Sequence, residues 1–284
     1  MSVRRALAQS GLVPLDAGVL LAHVLQQNRA WLVAHADDAL RPEQAHAFFA
    51  LAKRRRAGEP IAYLTGTREF WGLDLRISPA VLIPRPETET LVEVALAHLP
   101  AERPTRVLDL GTGSGAVALA IAKERPQAWV IGIDVASAAI ALAAENAERL
   151  GIRNVEWLRS DWYEALPRDG GPFHAIVSNP PYVEQGDRHL SEGDLRFEPV
   201  QALTPGGDGL NAIRRIVAGA REWLVDGGLL AVEHGYDQAD LAQALFRAAS
   251  LTGIHTARDL AGIPRVTYGL ARPLGGTQGR GTGT

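Results

Sequence analysis

The chain contains no cysteine. Disulfides, thiolate metal sites and a cysteine nucleophile are therefore excluded before any motif is read. Long apolar runs are missing as well: no uninterrupted stretch reaches the roughly 20 residues that a membrane-spanning helix requires. The opening MSVRRALAQSGLVPLD has no apolar signal core followed by a cleavage site, so a cytoplasmic protein is expected. A strong charge of either sign is lacking too, since the formal net charge is −3 over 284 residues. The charge is nevertheless uneven. Within residues 1–57, Arg4, Arg5, Arg29, Arg41, Lys53, Arg54, Arg55 and Arg56 outnumber Asp16, Asp37, Asp38 and Glu43, and the remainder is acidic. A basic front on an acidic body fits a module that faces a partner, and it equally fits solvated helix faces.

Hydrophobic residues make up 46% of the chain and charged residues 21%, which is ordinary for a globular protein. The length allows one large domain, or a small one followed by a medium one. Residues 1–57 read as a small helical bundle. PLDAGVLLAHVLQQ begins with Pro14 and Asp16, both suited to a first turn, and carries Leu15, Val19, Ala22 and Leu25 on one side. RPEQAHAFFALAKRRRAG starts similarly at Pro42 and Glu43, presents Phe48, Phe49 and Leu51, and closes on a basic turn before Gly58. Residues 58–83 read as a hairpin or extended linker around Thr65, Gly66 and Thr67, with aromatic and β-branched residues on both sides.

Residues 84–273 read as one further domain that opens on a helix from Glu87; from Thr105 the pattern alternates between strand and helix, which predicts a mostly parallel sheet covered on both faces. RVLDL, AWVIGID, VEWLRSD, HAIVSN and LLAVEHG read as strands. IHTARDL and RVTYGLAR read as a terminal antiparallel pair, and helices lie between the other strands. Residues 274–284 have nothing to bury and read as a disordered tail.

Chemistry concentrates at the ends of the predicted strands. VLDLGTGSGAVALA is a strand, a glycine loop and a helix, in which Gly111, Gly113 and Gly115 let the backbone approach a ligand ahead of a helix N-terminus. Asp134 ends the next strand, where a carboxylate can accept from two ribose hydroxyls. Gly111, Gly113 and Ala116 also satisfy the relaxed dinucleotide fingerprint, so an NAD-dependent oxidoreductase is one reading of this stretch. Asp109 argues the other way: before the loop it can hold an ammonium, but it would oppose a pyrophosphate. Asp161 and Trp162 offer an acceptor for an exocyclic amine beside an aromatic surface. An adenosine with a cationic amino-acid tail, as in S-adenosyl-L-methionine, suits these charges better.

In AIVSNPPYVE the strand stops at Asn179, Pro180, Pro181 and Tyr182. A proline turn accounts for the pattern alone, but its place beside the glycine loop suggests chemistry. A planar nitrogen is a poor nucleophile because its lone pair is delocalised, and it gains positive charge as it attacks a methyl sulfonium. Useful groups are then acceptors fixed on its N–H bonds: the Asn179 side-chain oxygen and the Pro180 carbonyl, preorganised because Pro181 has a locked φ and no N–H. Tyr182 can lie against the flat acceptor and hold it in line.

LDLGTGSG, GID, SDW and SNPPY, in this order, resemble the class I S-adenosylmethionine methyltransferases that modify planar nitrogens. GEPIAYLTGTREFWG, VLIPRPETETLVE, EPVQALTPGGDGL and AVEHGYDQ are similar to the HemK/PrmC family, over nearly the whole chain. The resemblance implies an α/β, Rossmann-like, mostly parallel seven-stranded sheet with an antiparallel C-terminal strand, preceded by a helical substrate-recognition domain. It implies methylation of the side-chain amide (N5) of the Gly-Gly-Gln glutamine in class I peptide chain release factors. It further implies that Gly111, Thr112, Gly113, Ser114 and Gly115 bind the methionine part of the cofactor, Asp134 its ribose and Trp162 its adenine side. Residues 179–182 would then hold the glutamine, with Asn179 near both the glutamine and the cofactor. One departure is Ala136, where a serine cap often opens the helix, with Ser137 as the alternative cap. The acceptor motif equally suits DNA adenine or rRNA guanine, though an acidic body disfavours stable nucleic-acid binding. A non-catalytic adaptor is the remaining reading. No metal is expected.

Overall fold

A computed structural model describes residues 1–167 and 170–272. The expected tail, residues 274–284, and the final residue of the expected methyltransferase span lie outside the described residues.

The N-terminal unit comprises α1 (Val3–Gln9), α2 (Pro14–Leu25), α3 (Arg29–Ala34) and α4 (Pro42–Arg56). Pro14 and Pro42 stand at the first helical turns, where a missing N–H costs nothing. α2 buries the expected side only in part. Ala17, Gly18, Leu20, Leu21 and Ala22 are its buried positions and Leu25 packs on the same core, so Ala22 and Leu25 lie where expected, whereas Leu15 is 55% exposed. The buried stripe is centred on Ala17, Leu20 and Leu21 because α2 must meet Phe48 of α4 and Leu32 of α3 in one core.

The predicted linker also contains a helix, α5 (Ile61–Thr65), whose Leu64 is buried in that same core. The helical unit thus extends to about residue 66, beyond the expected boundary. Gly66 ends α5 in the left-handed region and does not form the hairpin turn. That turn is Trp71-Gly72, both at positive φ, between β1 (Thr67–Phe70) and β2 (Leu73–Arg76). Positive φ at both central positions is the signature of a type I′ two-residue hairpin loop. Glu89 stabilises it by accepting from the Trp71 amide at 3.0 Å.

The remaining elements are α6 (Glu89–His98), β3 (Thr105–Leu110), α7 (Ala116–Glu124), β4 (Ala128–Asp134), α8 (Ser137–Leu150), β5 (Val155–Arg159), β6 (Phe173–Ser178), α9 (Val200–Leu203), α10 (Asn211–Trp223), β7 (Leu224–Glu233), α11 (Ala239–Ala248), β8 (Thr252–Arg258) and β9 (Pro264–Leu270). The strands form a seven-stranded sheet in the order β5-β4-β3-β6-β7-β9-β8. β3 to β7 pair in parallel, and β9 runs antiparallel to both its neighbours, as expected.

Alternate residues of the central strands enter two different cores. Val107, Val130, Ala175 and Val177 meet α6 and α7 on one face. Leu108, Ile131, Ile176 and Leu230 meet α10 and α11 on the other. This is why these strands read as continuous apolar runs. Burial of each such aliphatic side chain contributes about 1.5–3 kcal/mol. Among the described residues no helix is long and apolar enough to cross a membrane.

Candidate active site

The sheet order reverses at β3: the chain runs outward through β4 and β5, then returns to β6 on the other side. Crevices at such a switch point, beyond the carboxyl ends of the strands, are where ligands bind in open α/β sheets. A cavity opens there.

One end of the cavity is the loop from β3 to α7. Gly111, Gly113 and Gly115 have φ of 75°, 56° and 84°. A side chain at Gly115 would meet Trp157, Leu119 and Ala143 within 3.2 Å, so this glycine serves helix–sheet packing. A side chain at Gly113 would face open space, and a Cβ at Gly111 would lie 3.8 Å from the Trp162 ring. The loop is held largely by its own sheet neighbours: the Gly111 and Thr112 amides both donate to the Ile133 carbonyl at 2.8 Å. One long-range tie adds to this, as the fully buried Asn146 donates to the Ser114 carbonyl at 2.9 Å.

Asp134 accepts from the Gly113 amide at 3.0 Å through Oδ2 and from the Ala136 amide at 2.9 Å through Oδ1. It thereby shapes the loop and starts α8. Ala136 is the N-cap without a side-chain bond and Ser137 is already helical, so the expected serine cap is replaced by this carboxylate. Burial raises the Asp134 pKa, opposed by these backbone amides. Asp109 is almost fully enclosed and accepts from the Thr112 hydroxyl at 2.6 Å. Burial pushes its carboxyl up to about 7, against that hydrogen bond. Asp161 is less free than expected, since Arg215 pairs with both its oxygens at 3.0 Å. Each carboxylate oxygen retains a second acceptor site. Trp162 stands beside it with φ of 53° and packs on the α10 side of the sheet.

The other end of the cavity is the loop after β6. Ser178 is fully buried, and its hydroxyl donates at 2.6 Å to the carbonyl of Leu110, directly before the glycine loop. The two loops are thus joined at their roots. Asn179 donates through Nδ2 to the Thr88 hydroxyl at 3.0 Å, while its Oδ1 is buried without a protein partner. An unpaired buried carbonyl oxygen costs stability, which makes this Oδ1 a candidate ligand contact.

Asn179 and Pro181 line the cavity together with Asp109, Gly111, Thr112, Gly113, Ser114, Asp134, Asp161 and Trp162. Gly115, Pro180 and Tyr182 do not. The expectation that Tyr182 lies flat against an acceptor is thus not met in the cavity lining. Its phenol donates instead to Glu233 at 3.2 Å, because a buried hydroxyl requires a partner and β7 supplies one.

Several groups that hold this end escaped the sequence reading. Gln238 donates to the Tyr182 carbonyl at 2.9 Å. Gly209 has φ of 77°, and any Cβ there would lie 2.3 Å from that carbonyl. Glu198 is buried, accepts from the Ile83 amide at 3.1 Å and pairs with Arg85, tying the cavity segment that precedes α6 to the one that precedes α9. Tyr63 donates to the Val81 carbonyl at 2.7 Å. The only local signal for Glu233 was an acid ending an apolar strand, which is also the signal at Asp134.

A family profile described as PrmC N-terminal domain matches residues 2–66, and one described as Methyltransferase small domain matches residues 88–208. A release factor glutamine methyltransferase of Bordetella pertussis is 53% identical over 263 residues, covering 93% of this chain and 97% of the relative. The chain belongs to the release factor glutamine methyltransferase family. Another member, from Escherichia coli K12, is 49% identical over 254 residues, 89% of this chain and 91% of its own. A 16S rRNA N2 G1207 methyltransferase of T. thermophilus, solved with AdoMet and guanosine, shares the fold alone. Its TM-score is 0.53 at 21% identity, with 72% of this chain and 50% of that one covered.

As a member of this family the chain is a methyltransferase that draws its methyl group from S-adenosylmethionine. The residues present fit such a donor. Two carboxylates flank the open face of the glycine loop, which favours a ligand with a cationic tail over one with a pyrophosphate.

Proposed function

We propose that this family member transfers a methyl group from S-adenosylmethionine to the side-chain amide nitrogen of the glutamine in the Gly-Gly-Gln motif of class I peptide chain release factors, acting in translation termination. When bound, S-adenosylmethionine supplies an electrophilic methyl group on a sulfonium. Gly111, Thr112, Gly113 and Ser114 hold the methionine part, with Asp109 facing its ammonium. Asp134 accepts from the ribose, and Asp161 and Trp162 flank the adenine.

The observation that carries the reading is the buried, unpartnered Oδ1 of Asn179 on the cavity that the glycine loop also lines. Asn179 Oδ1, on the cavity wall, accepts from an N–H bond of the glutamine carboxamide. It pulls electron density toward the nitrogen and stabilises the positive charge that grows there. Such preorganised contacts are worth on the order of 10²–10³ in rate each. No strong base is needed, because the N–H becomes acidic as the charge develops. Tyr182, anchored on Glu233 and Gln238, fixes the loop from behind.

A protein substrate suits the front of the molecule better than a nucleic acid. Three arginines of the 53–56 cluster serve internal contacts: Arg54 pairs with Glu59, Arg55 with Asp16 and Asp194, and Arg56 with the Ser10 carbonyl. The helical unit instead exposes apolar Leu15 and Val33 as contacts for the release factor. A cytoplasmic location follows from that substrate. Mass spectrometry of a release factor after incubation with enzyme and S-adenosylmethionine should show one added methyl on the Gly-Gly-Gln glutamine. An unchanged glutamine, with adenine or guanine methylated in its place, would overturn the reading.

A further inference from the structure

The helical unit and the sheet domain share a small covalent joint. α5 bridges their cores, with Leu64 packed among the helices and Ala62 packed in the cluster on the α6 and α7 face of the sheet. Relative motion of two units is the default where the joint between them is small. A second junction, away from α5, sets the angle.

That junction is made by residues 179–210, the long connection from β6 to α10, where it passes the end of α4. Arg55 donates through Nε to Asp16 of α2 at 2.7 Å and through Nη1 to Asp194 of the connection at 3.0 Å. Arg196 answers from the connection by donating to the Ala57 carbonyl just past α4. Gly58, with φ of 97°, leaves room for it, since a Cβ there would collide with the Arg196 guanidinium. The Arg55 and Asp16 side chains are only 23% and 19% exposed, so this pair is screened less than an ion pair in open solvent.

From Asp194 the chain runs directly to the cavity. Glu198 holds the Ile83 amide and Arg85, and Pro199, Gln201 and Ala202 line the cavity. The Leu203 carbonyl then accepts at 2.9 Å from the amide of Val183, the residue after the acceptor turn. At the other end, exposed Val13 and Leu15 stand beside Asp16. One series of bonds thus connects an apolar surface of the helical unit with the wall of the cavity.

We propose that Arg55, Asp194 and Arg196 form a clasp that fixes the helical unit relative to the cavity, which makes them positioning residues for a whole-protein substrate and not for a peptide. The clasp rests on the reading above in that a protein supplies the methylated nitrogen. A substrate held at the helical unit delivers its glutamine to the cavity only if the two keep a fixed spacing. A misplacement of about 1 Å is enough to cost up to about 10²-fold in rate.

The test uses the full-length enzyme carrying Asp194→Ala and Arg196→Ala together, which severs both ties and leaves Arg55 paired with Asp16. kcat/KM toward an intact release factor should fall about tenfold. A short Gly-Gly-Gln peptide, too small to reach the helical unit, should keep kcat and KM within about twofold. Asp194→Glu, which keeps the charge, should retain activity on both substrates. Equal losses on protein and peptide, or no loss on the protein, would overturn the clasp. A substrate-free readout separates it from the assigned reaction. Because the chain lacks cysteine, Val33→Cys and Leu260→Cys, both at exposed positions, place one spin label on each unit. Pulsed electron spin resonance should give one narrow distance, which broadens when Asp194→Ala and Arg196→Ala are added. An unchanged width sinks the clasp even if the glutamine is methylated. The expected broadening upholds it even if the enzyme leaves that glutamine unmodified and the reading above fails.

Discussion

The two ends of the cavity are built by different means. The cofactor end is assembled largely from neighbours: a glycine loop hydrogen-bonded to the adjacent strand and to Asp134 at that strand's tip. The acceptor end is assembled from afar, since residues 179–182 are held by Thr88, Glu233 and Gln238 and are overlain by Gly209. The difference teaches that binding a cofactor by its backbone-facing parts needs a local motif, whereas aiming one carbonyl oxygen at a nitrogen needs a scaffold. If that is right, damage at the first end should appear in affinity, and damage at the second in turnover.

The largest effect should come from Asn179→Ala. Loss of one preorganised acceptor is expected to cut kcat by about 10²–10³ while the cofactor Kd stays within about twofold. Steady-state kinetics beside calorimetry would show it, and a change mainly in Kd would dissolve the contrast between the ends. Gly209→Ala comes next. Its Cβ would collide with the Tyr182 carbonyl at 2.3 Å in a left-handed position, so the acceptor turn must shift. Turnover should fall about tenfold or more, and stability by about 1–3 kcal/mol in denaturant unfolding, with the cofactor still bound.

At the opposite end, Asp134→Asn should weaken the cofactor by roughly tenfold, as expected for a lost charge-assisted contact, with kcat at saturation little changed. The smallest effect is a pH dependence set by Asp109. Burial holds its pKa near 7, against an ordinary value of 3.8. In the free enzyme its contribution to stability therefore declines as pH rises from about 4 to 7, because the folded state holds the proton more tightly than the unfolded chain does. A cationic ligand reverses the preference. Affinity for S-adenosylmethionine should strengthen by less than tenfold from pH 6 to pH 8, and Asp109→Asn should flatten that slope.

Legibility in the sequence divides along the same line. The β3 loop, Asp134 and the α8 end at Gly151 were readable because strand, turn and helix are contiguous and each residue type has a backbone reason to be there. Asn179 and its prolines were readable as a motif. Thr88 and Glu233 were not, because a buried threonine and a strand-ending glutamate have no local feature that ties them to residues 179–182. The misplaced hairpin turn and the exposure of Leu15 on α2 share one cause. Gly66 and Leu15 satisfy local rules, and tertiary packing of α5 and α4 overrules them.

By itself the sequence determined the order of strands and helices, the glycine positions that a left-handed backbone demands, and the chemical groups available at each strand end. These depend on φ/ψ preferences and on periodicity, which act over a few residues. Tertiary structure alone decided which of those groups meet, which way the Asn179 carboxamide points and that Tyr182 serves as an anchor. Such outcomes follow from satisfying buried polar groups across long separations, and no local propensity encodes them.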